Sequence, residues 1–214
     1  LQLHDERKHE RAAQLAAARL ETELLKKNMQ PHFLMNTLAV LTEIVEQDPQ
    51  RAVKLIDDLA DEFRTVARVS AEKLIPLAQE IDLCRAHLRV MSVRTGRDWS
   101  LETRGAEGET LVPPAVFLTL IENGFAHQRM PGNGAAAFTL TVEGLGKGAK
   151  RCVFLSPGEV QANPNRPPGG TGLRYVKARL EESFPGQWTL IDGLVAGGWQ
   201  TTIEVWRQPE GDRA

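Results

Sequence analysis

The sequence predicts an α+β protein in two parts: an N-terminal helical hairpin that pairs as a dimeric four-helix bundle, and an α/β sandwich after it. Three observations predict this. Residues 1–29 hold no glycine or proline, and apolar residues recur at three- and four-residue spacing as far as Arg94, the period of helices. Beyond Gly96 the texture changes, with most of the 18 glycines and a series of short runs that alternate apolar and polar residues, the period of strands. Two further helical patterns, Pro114 to His127 and Leu173 to Phe184, fall between those runs, and strands mixed with helices make a layered sandwich with the helices on one face.

Taken in order, Leu1 to about Met29 reads as one long helix with Leu15, Ala18, Thr22, Leu25 and Met29 along a weak two-stranded seam. Pro31 interrupts it, at a cost of roughly 3 kcal/mol for a proline inside a helix, and a bend is expected there. The apolar positions resume at Phe33, Leu34, Leu38, Leu41 and Val45, and the helix should stop in the turn Gln47-Asp48-Pro49. A second helix, about Pro49 to Ser70, carries Val53, Ile56, Leu59, Phe63 and Val66 on one face. The short link makes an antiparallel hairpin whose apolar stripe needs a second copy to cover it. A third helix should run from about Leu77 to Arg94. The expected strands are Trp99 to Thr103, Phe138 to Val142, Arg151 to Leu155, Trp188 to Ile191 and Thr202 to Trp206, the last two joined as a hairpin across Ala196-Gly197-Gly198. Pro209 to Ala214 reads as a frayed tail.

Composition narrows the function. A net charge of -2 with 25% charged residues gives no basic excess for direct nucleic-acid binding. The longest apolar run, Leu111 to Ile121, contains Pro113 and Pro114 and is far short of the roughly 20 residues of a membrane span. The fragment is expected to be soluble and cytoplasmic, cut from a longer parent because it starts at Leu1 without a signal pattern. Cys84 and Cys152 lack C-x-x-C spacing and read as reduced thiols. Cys84 and His87 can share a helix face, but two ligands do not make a zinc site.

Three places carry chemistry. His32 follows the disruptive Pro31; the hexapeptide Pro31 to Asn36 is either a helix boundary or a functional histidine. Glu122 and Asn123 sit near the end of the greasy run Val116 to Ile121, where a carboxylate and an amide are costly to bury without partners. Asn123 can offer a neutral oxygen to hydrated Mg2+ and Glu122 can position a proton or water, or both simply cap the helix before Gly124. Third, Pro167-Pro168-Gly169-Gly170-Thr171-Gly172-Leu173 leads into a helix with Arg174 and Lys177. Glycines allow close backbone approach, and free N–H groups at a helix start attract phosphate.

Together and in this order, these segments resemble the LytS/YehU-type sensor histidine kinases, whose catalytic half belongs to the ATPase superfamily that also holds gyrase and a heat-shock chaperone. Pro31 to Asn36 matches the family's Pro-His-Phe-Leu-Phe-Asn phosphoacceptor motif, with Met35 for the second Phe. Pro114 to Gln128 matches its N-box through Glu122, Asn123 and His127, with Ala126 and Gln128 as departures. Gly170-Thr171-Gly172-Leu173, with Arg179 and Leu180, matches its glycine box.

The resemblance implies a sensor protein-histidine kinase with four segments: a signalling helix (1–30), a dimerisation and phosphotransfer hairpin (31–72), an ATP-binding domain (73–208) and a tail (209–214). It implies autophosphorylation of His32 from ATP, with Glu122 catalytic, Asn123 the Mg2+ ligand, and nucleotide contacts from Asn123, His127, Ser156, Gly158, Gly169, Gly170, Thr171, Gly172 and Leu173. The implied partners are a second copy of the chain and a response regulator, for which the LytTR type is one candidate, with the sensor or membrane domain lying upstream in an inner-membrane parent. Ser156 stands where the superfamily has an aspartate that reads adenine, and a neutral hydroxyl is a weaker acceptor than a carboxylate. The alternative from another class of function is a degenerate kinase-like module that dimerises and relays signals with little phosphoryl transfer. A chaperone-like ATPase would leave Pro31-His32 unexplained.

Overall fold

The computed structural model describes residues 31–106, 108–129, 134–160 and 171–206. The expectations for Leu1 to Met29, for the bend at Pro31 and for the tail lie outside them.

Helix α1 (Pro31–Gln47) and helix α2 (Pro49–Ser70) are separated by Asp48 alone. Asp48 accepts a 3.0 Å hydrogen bond from the Arg51 N–H, and Pro49 fills the first helical position, where a missing N–H costs nothing. So tight a link turns α2 back along α1. The side of α2 buried within the chain is Ala52, Leu55, Glu62, Val66 and Val69; the stripe read from the sequence as needing a second copy to cover it is a different set that shares only Val66 with this side. Of that stripe only Val66 is buried, while Val53 and Ile56 are 58% and 47% exposed. Met35, Leu38 and Val45 of α1 are exposed as well. The hairpin therefore has two apolar sides, one of them covered within the chain.

The covering element is α3 (Leu77–Thr95), introduced by β1 (Ile75–Pro76). Leu77, Ile81, Leu83, Cys84, Leu88, Val90 and Met91 are all buried, because α3 lies between the hairpin and the rest of the core. It ends at Gly96, whose φ of 65° is the left-handed cap that glycine supplies without strain.

The remaining elements are β2 (Trp99–Arg104), β3 (Leu111–Val112), α4 (Val116–His127), β4 (Gln128–Arg129), β5 (Ala136–Gly146), β6 (Ala149–Pro157), β7 (Glu159–Val160), α5 (Thr171–Ser183), β8 (Trp188–Val195) and β9 (Gly198–Val205). All five expected strands form, mostly longer than their alternating runs. The two-residue pairings β1–β3 and β4–β7 are too short to leave a periodic signal. The main sheet has the order β2-β5-β6-β9-β8. Only β2 and β5 are parallel, as a crossover through α4 permits; β8 and β9 form the expected hairpin.

Alternation aims Phe138, Leu140 and Val142 of β5 and Cys152, Phe154 and Ser156 of β6 toward the core. The Phe117 ring of α4 lies tilted against Phe154 at 6.0 Å, and Phe154 stacks on Phe138 at 5.9 Å. Val176 and Leu180 of α5 complete this layer.

Candidate nucleotide and phosphotransfer site

Helix α4 is set in place by a residue the sequence reading missed. Glu80 of α3 is fully buried, and its carboxylate accepts hydrogen bonds from the backbone N–H groups of Ala115 (2.8 Å), Phe117 (2.8 Å) and Leu118 (3.2 Å). These are donors that a helix N-terminus leaves without partners. Burial pushes the Glu80 carboxyl up to about 7, with the three amides and Arg179 pulling the other way. The chain enters α4 through Ala115 at φ 59°, a left-handed conformation held by this cap on one side and the buried core on the other. A signal was present in the sequence: Glu80, Cys84, His87 and Met91 share one helical stripe, of which the reading took only the middle pair.

Glu122 and Asn123 are half-buried inside α4, which continues to His127. The capping alternative is thereby corrected, because an interior residue meets a backbone whose hydrogen bonds are already made. A Cβ at Gly124 would collide with Ser156 Oγ and lie 2.9 Å from the Phe138 ring. Only glycine allows β6 to come this close, and Ser156 is consequently seated against the helix one residue past Asn123. A Cβ at Gly172 would collide with the Asn123 side-chain amide, so the first turn of α5 lies directly on Asn123.

Two of the three segments read from the sequence therefore meet at Glu122-Asn123-Gly124, with Ser156 of β6 on one side and Gly172 on the other. Gly158, at φ 114°, lets the chain leave β6, and the pairing of Gln128 with Val160 ties that exit to the end of α4. Leu173 is half-buried in the first turn of α5. Thr171 opens α5, His127 ends α4 and His32 is the second residue of α1, all three described by backbone only. Gly169 and Gly170 lie outside the described residues. A cleft of about 720 Å³ opens beyond Gly158, between Arg97, Ala136, Glu159, Val195 and Gly198; it touches the candidate site only through the Pro157-Gly158 end.

The donor chemistry of Asn123 is compatible with a nucleotide-bound Mg2+. Asn123 carries a neutral amide oxygen, and it packs against the start of α5 where Gly172 has no side chain. Among the described residues no cluster of three His, Cys, Asp or Glu side chains could hold a metal. A Mg2+ ion that uses one protein oxygen and completes its shell from phosphate and water requires none. Of the Cys84–His87 pair, the imidazole Nδ1 is engaged 2.7 Å from Glu62 Oε1.

Helix α5 also reaches back to the hairpin. Buried Arg179 donates to the Glu72 carbonyl (2.8 Å) and to Glu182 (2.9 Å), and Ser183 Oγ donates to the Lys73 carbonyl (3.0 Å). The helix that begins at the glycine box thus grips the segment joining α2 to β1.

Residues 20–99, which include His32 and the whole hairpin, match the histidine kinase family. In sequence the chain is similar to LytS sensor proteins. The chain is 27% identical over 216 residues to the sensor protein LytS of Enterococcus faecalis, covering 90% of this chain and 36% of the relative. It is 29% identical over 180 residues to the sensor histidine kinase/phosphatase LytS of Staphylococcus aureus, covering 77% and 30% respectively. The chain thus spans about a third of the length of these LytS relatives. In fold it is similar to a bacterial phosphotransferase solved at 1.7 Å, with a TM-score of 0.50, 15% identity and coverage of 90% and 95% of the two chains. Among the described residues no helix is long and apolar enough to cross a membrane.

Proposed function

We propose that this chain is the kinase portion of a two-component sensor, which binds ATP and Mg2+ and autophosphorylates on His32. The observation that carries the reading is the convergence of Asn123, Ser156 and Gly172 on one end of the sandwich, in a chain whose hairpin matches the histidine kinase family. Asn123 supplies the Mg2+ oxygen, and Mg2+ would neutralise charge on the transferring phosphate. Glu122, on the same turn of α4, takes or orients the imidazole proton as His32 attacks. The amides at Gly170, Thr171 and Gly172 hold phosphate oxygens, Leu173 closes the turn behind them, and His127, Ser156 and Gly158 border the nucleotide. The catalytic contribution is mostly positioning, because phosphoryl transfer asks little covalent chemistry of the protein.

The partners in this reading are a second copy of the chain and a response regulator whose aspartate receives the phosphoryl group. The exposed strip of Met35, Leu38, Val53 and Ile56 supports pairing of hairpins into a four-helix bundle. The signal would arrive through residues 1–30 from a membrane-anchored sensor portion.

Titration with ATP and Mg2+, followed by detection of acid-labile phosphate, tests the site. Asn123→Asp and Glu122→Ala should each slow phosphorylation by about a hundredfold, the scale of losing one general acid–base or charge-stabilising group, while thermal unfolding shifts little. A parental rate in either variant rejects the assignment of that residue.

Ser156 supports the second reading, of a weakly catalytic relay. A buried hydroxyl seated against Gly124 replaces the carboxylate expected at an adenine pocket. Ser156→Asp should tighten ATP binding several-fold, about 1 kcal/mol, with a larger gain for ATP than for GTP. It should also cost about 1–3 kcal/mol of stability, because the site has no room for added atoms. Unchanged or weaker ATP binding by the folded variant favours the relay.

A further inference from the structure

Glu62 and His87 form a polar pair in the seam between the hairpin and the ATP-binding domain. Glu62 is 6% and His87 4% exposed, Nδ1 and Oε1 are 2.7 Å apart, and Glu62 Oε2 is buried with no hydrogen-bond partner. One turn earlier on α2, Asp58 meets Arg89 of α3 at 3.3 Å. A carboxylate with an orphaned oxygen is a poor choice for stability in the middle of a helix, where a leucine would pack without penalty. The best-attested use of such buried pairs is to fix register between elements or to switch it.

The position of the pair indicates which elements are fixed. Glu62 lies 13 residues after Pro49 and His32 lies 15 before Gln47, so at about 1.5 Å per residue both stand about 20 Å from the turn of the hairpin. Across the seam, the His87 ring lies 6.2 Å from the Phe125 ring of α4. Phe125 is locked by Trp99 at 4.7 Å and Phe138 at 5.5 Å, and it stands three residues past Glu122 on the same helix. The charges facing His87 come from each element around it: Glu62 from α2, Glu122 from α4 and Arg94 from α3 itself.

We infer that Glu62 and His87 are positioning residues that register helix α4, with Glu122 and Asn123, against the level of the hairpin that carries His32. The inference rests on the kinase reading above. Helix α2 holds Glu62, Glu62 holds His87, and His87 buttresses Phe125. A rotation of α2 that withdraws Glu62 removes that buttress, so a signal reaching the hairpin is felt at α4 before any nucleotide contact changes.

The test uses the full chain and three variants: Glu62→Gln, which keeps the shape but removes the charge, Glu62→Leu, and the apolar exchange Glu62→Leu with His87→Phe. ATP affinity should stay within about twofold of parental in each, while phosphorylation at saturating ATP falls by about tenfold or more, the scale expected when reacting groups are slightly misplaced. Amide hydrogen exchange in residues 116–127 should rise in Glu62→Leu and Glu62→Gln, and the apolar exchange should unfold no earlier than the parent. A stable apolar variant that phosphorylates at the parental rate with unchanged exchange overturns the inference. If the parental protein shows no phosphorylation, the kinase reading fails, and the exchange measurement still decides the coupling. If Glu62→Leu does not fold, Glu62→Gln decides by the same two readouts.

Discussion

Replacing Glu80 by alanine should be among the most damaging single changes in this fold. The carboxylate satisfies three backbone donors at the start of α4, and no water reaches a side chain with no exposed surface. Loss of a cap alone costs about 0.5–2 kcal/mol, and leaving buried donors unmet costs about 1–3 kcal/mol each when nothing replaces the acceptor. Allowing for relaxation of α4, a total of about 3–5 kcal/mol is expected. For a protein of this size that lowers the midpoint of thermal unfolding by roughly 10 °C. Glu80→Gln keeps one acceptor oxygen and should cost about half as much.

The pH dependence isolates the charge. The folded carboxyl is pushed up from 4.5 to about 7. Its contribution is therefore full below 4.5 and is lost as pH rises to 7, a decline of about 3 kcal/mol at roughly 1.4 kcal/mol per unit. His87, also raised above its ordinary 6.5, acts in the same direction, present below 6.5 and lost as pH rises through its folded value. Urea unfolding at pH 5 and pH 7.5 on the parent and Glu80→Gln separates the two, since only the parent carries the Glu80 part. An alanine variant within 1 kcal/mol of the parent would refute the capping argument. Equal pH profiles for parent and glutamine variant would show that the three amide donors fully offset burial.

Gly172→Ala puts a methyl group where the Asn123 amide lies. It should weaken ATP binding by about tenfold, or 1.4 kcal/mol, with helix content unchanged by circular dichroism. Ile56→Glu and Val53→Glu place charge on the exposed strip of α2 and should turn a dimer into a monomer by analytical ultracentrifugation, with no loss of folded stability beyond about 0.5 kcal/mol; dimers of parental strength would move the interface elsewhere.

Much of the architecture was legible because local signals were strong. Asp48-Pro49 stops one helix and starts the next, Gly96 closes α3, and glycine at the Ala196-Gly197 turn returns β8 into β9. The three candidate segments were legible as segments, since each pairs an unusual residue type with an element boundary or a greasy run. The contact of the second with the third was not, because the collisions that exclude side chains at Gly124 and Gly172 depend on tertiary approach. The face of α2 buried within the chain was not legible for a related reason. Helix period finds apolar stripes, but Glu62 is buried through a partner 25 residues away, and Val53 and Ile56 are apolar yet face outward. Glu80 escaped because a glutamate reads as a solvated residue until the three donors it meets are known.

The central claim is that His32 takes the phosphoryl group of ATP, and labelling with γ-labelled ATP and Mg2+ tests it most directly. The parental chain should acquire label that is lost in acid and stable in base, mapping to the peptide that contains His32, and His32→Gln should acquire none while remaining folded and of parental oligomeric state. Label retained by His32→Gln, or acid-stable label in the parent, would contradict the account.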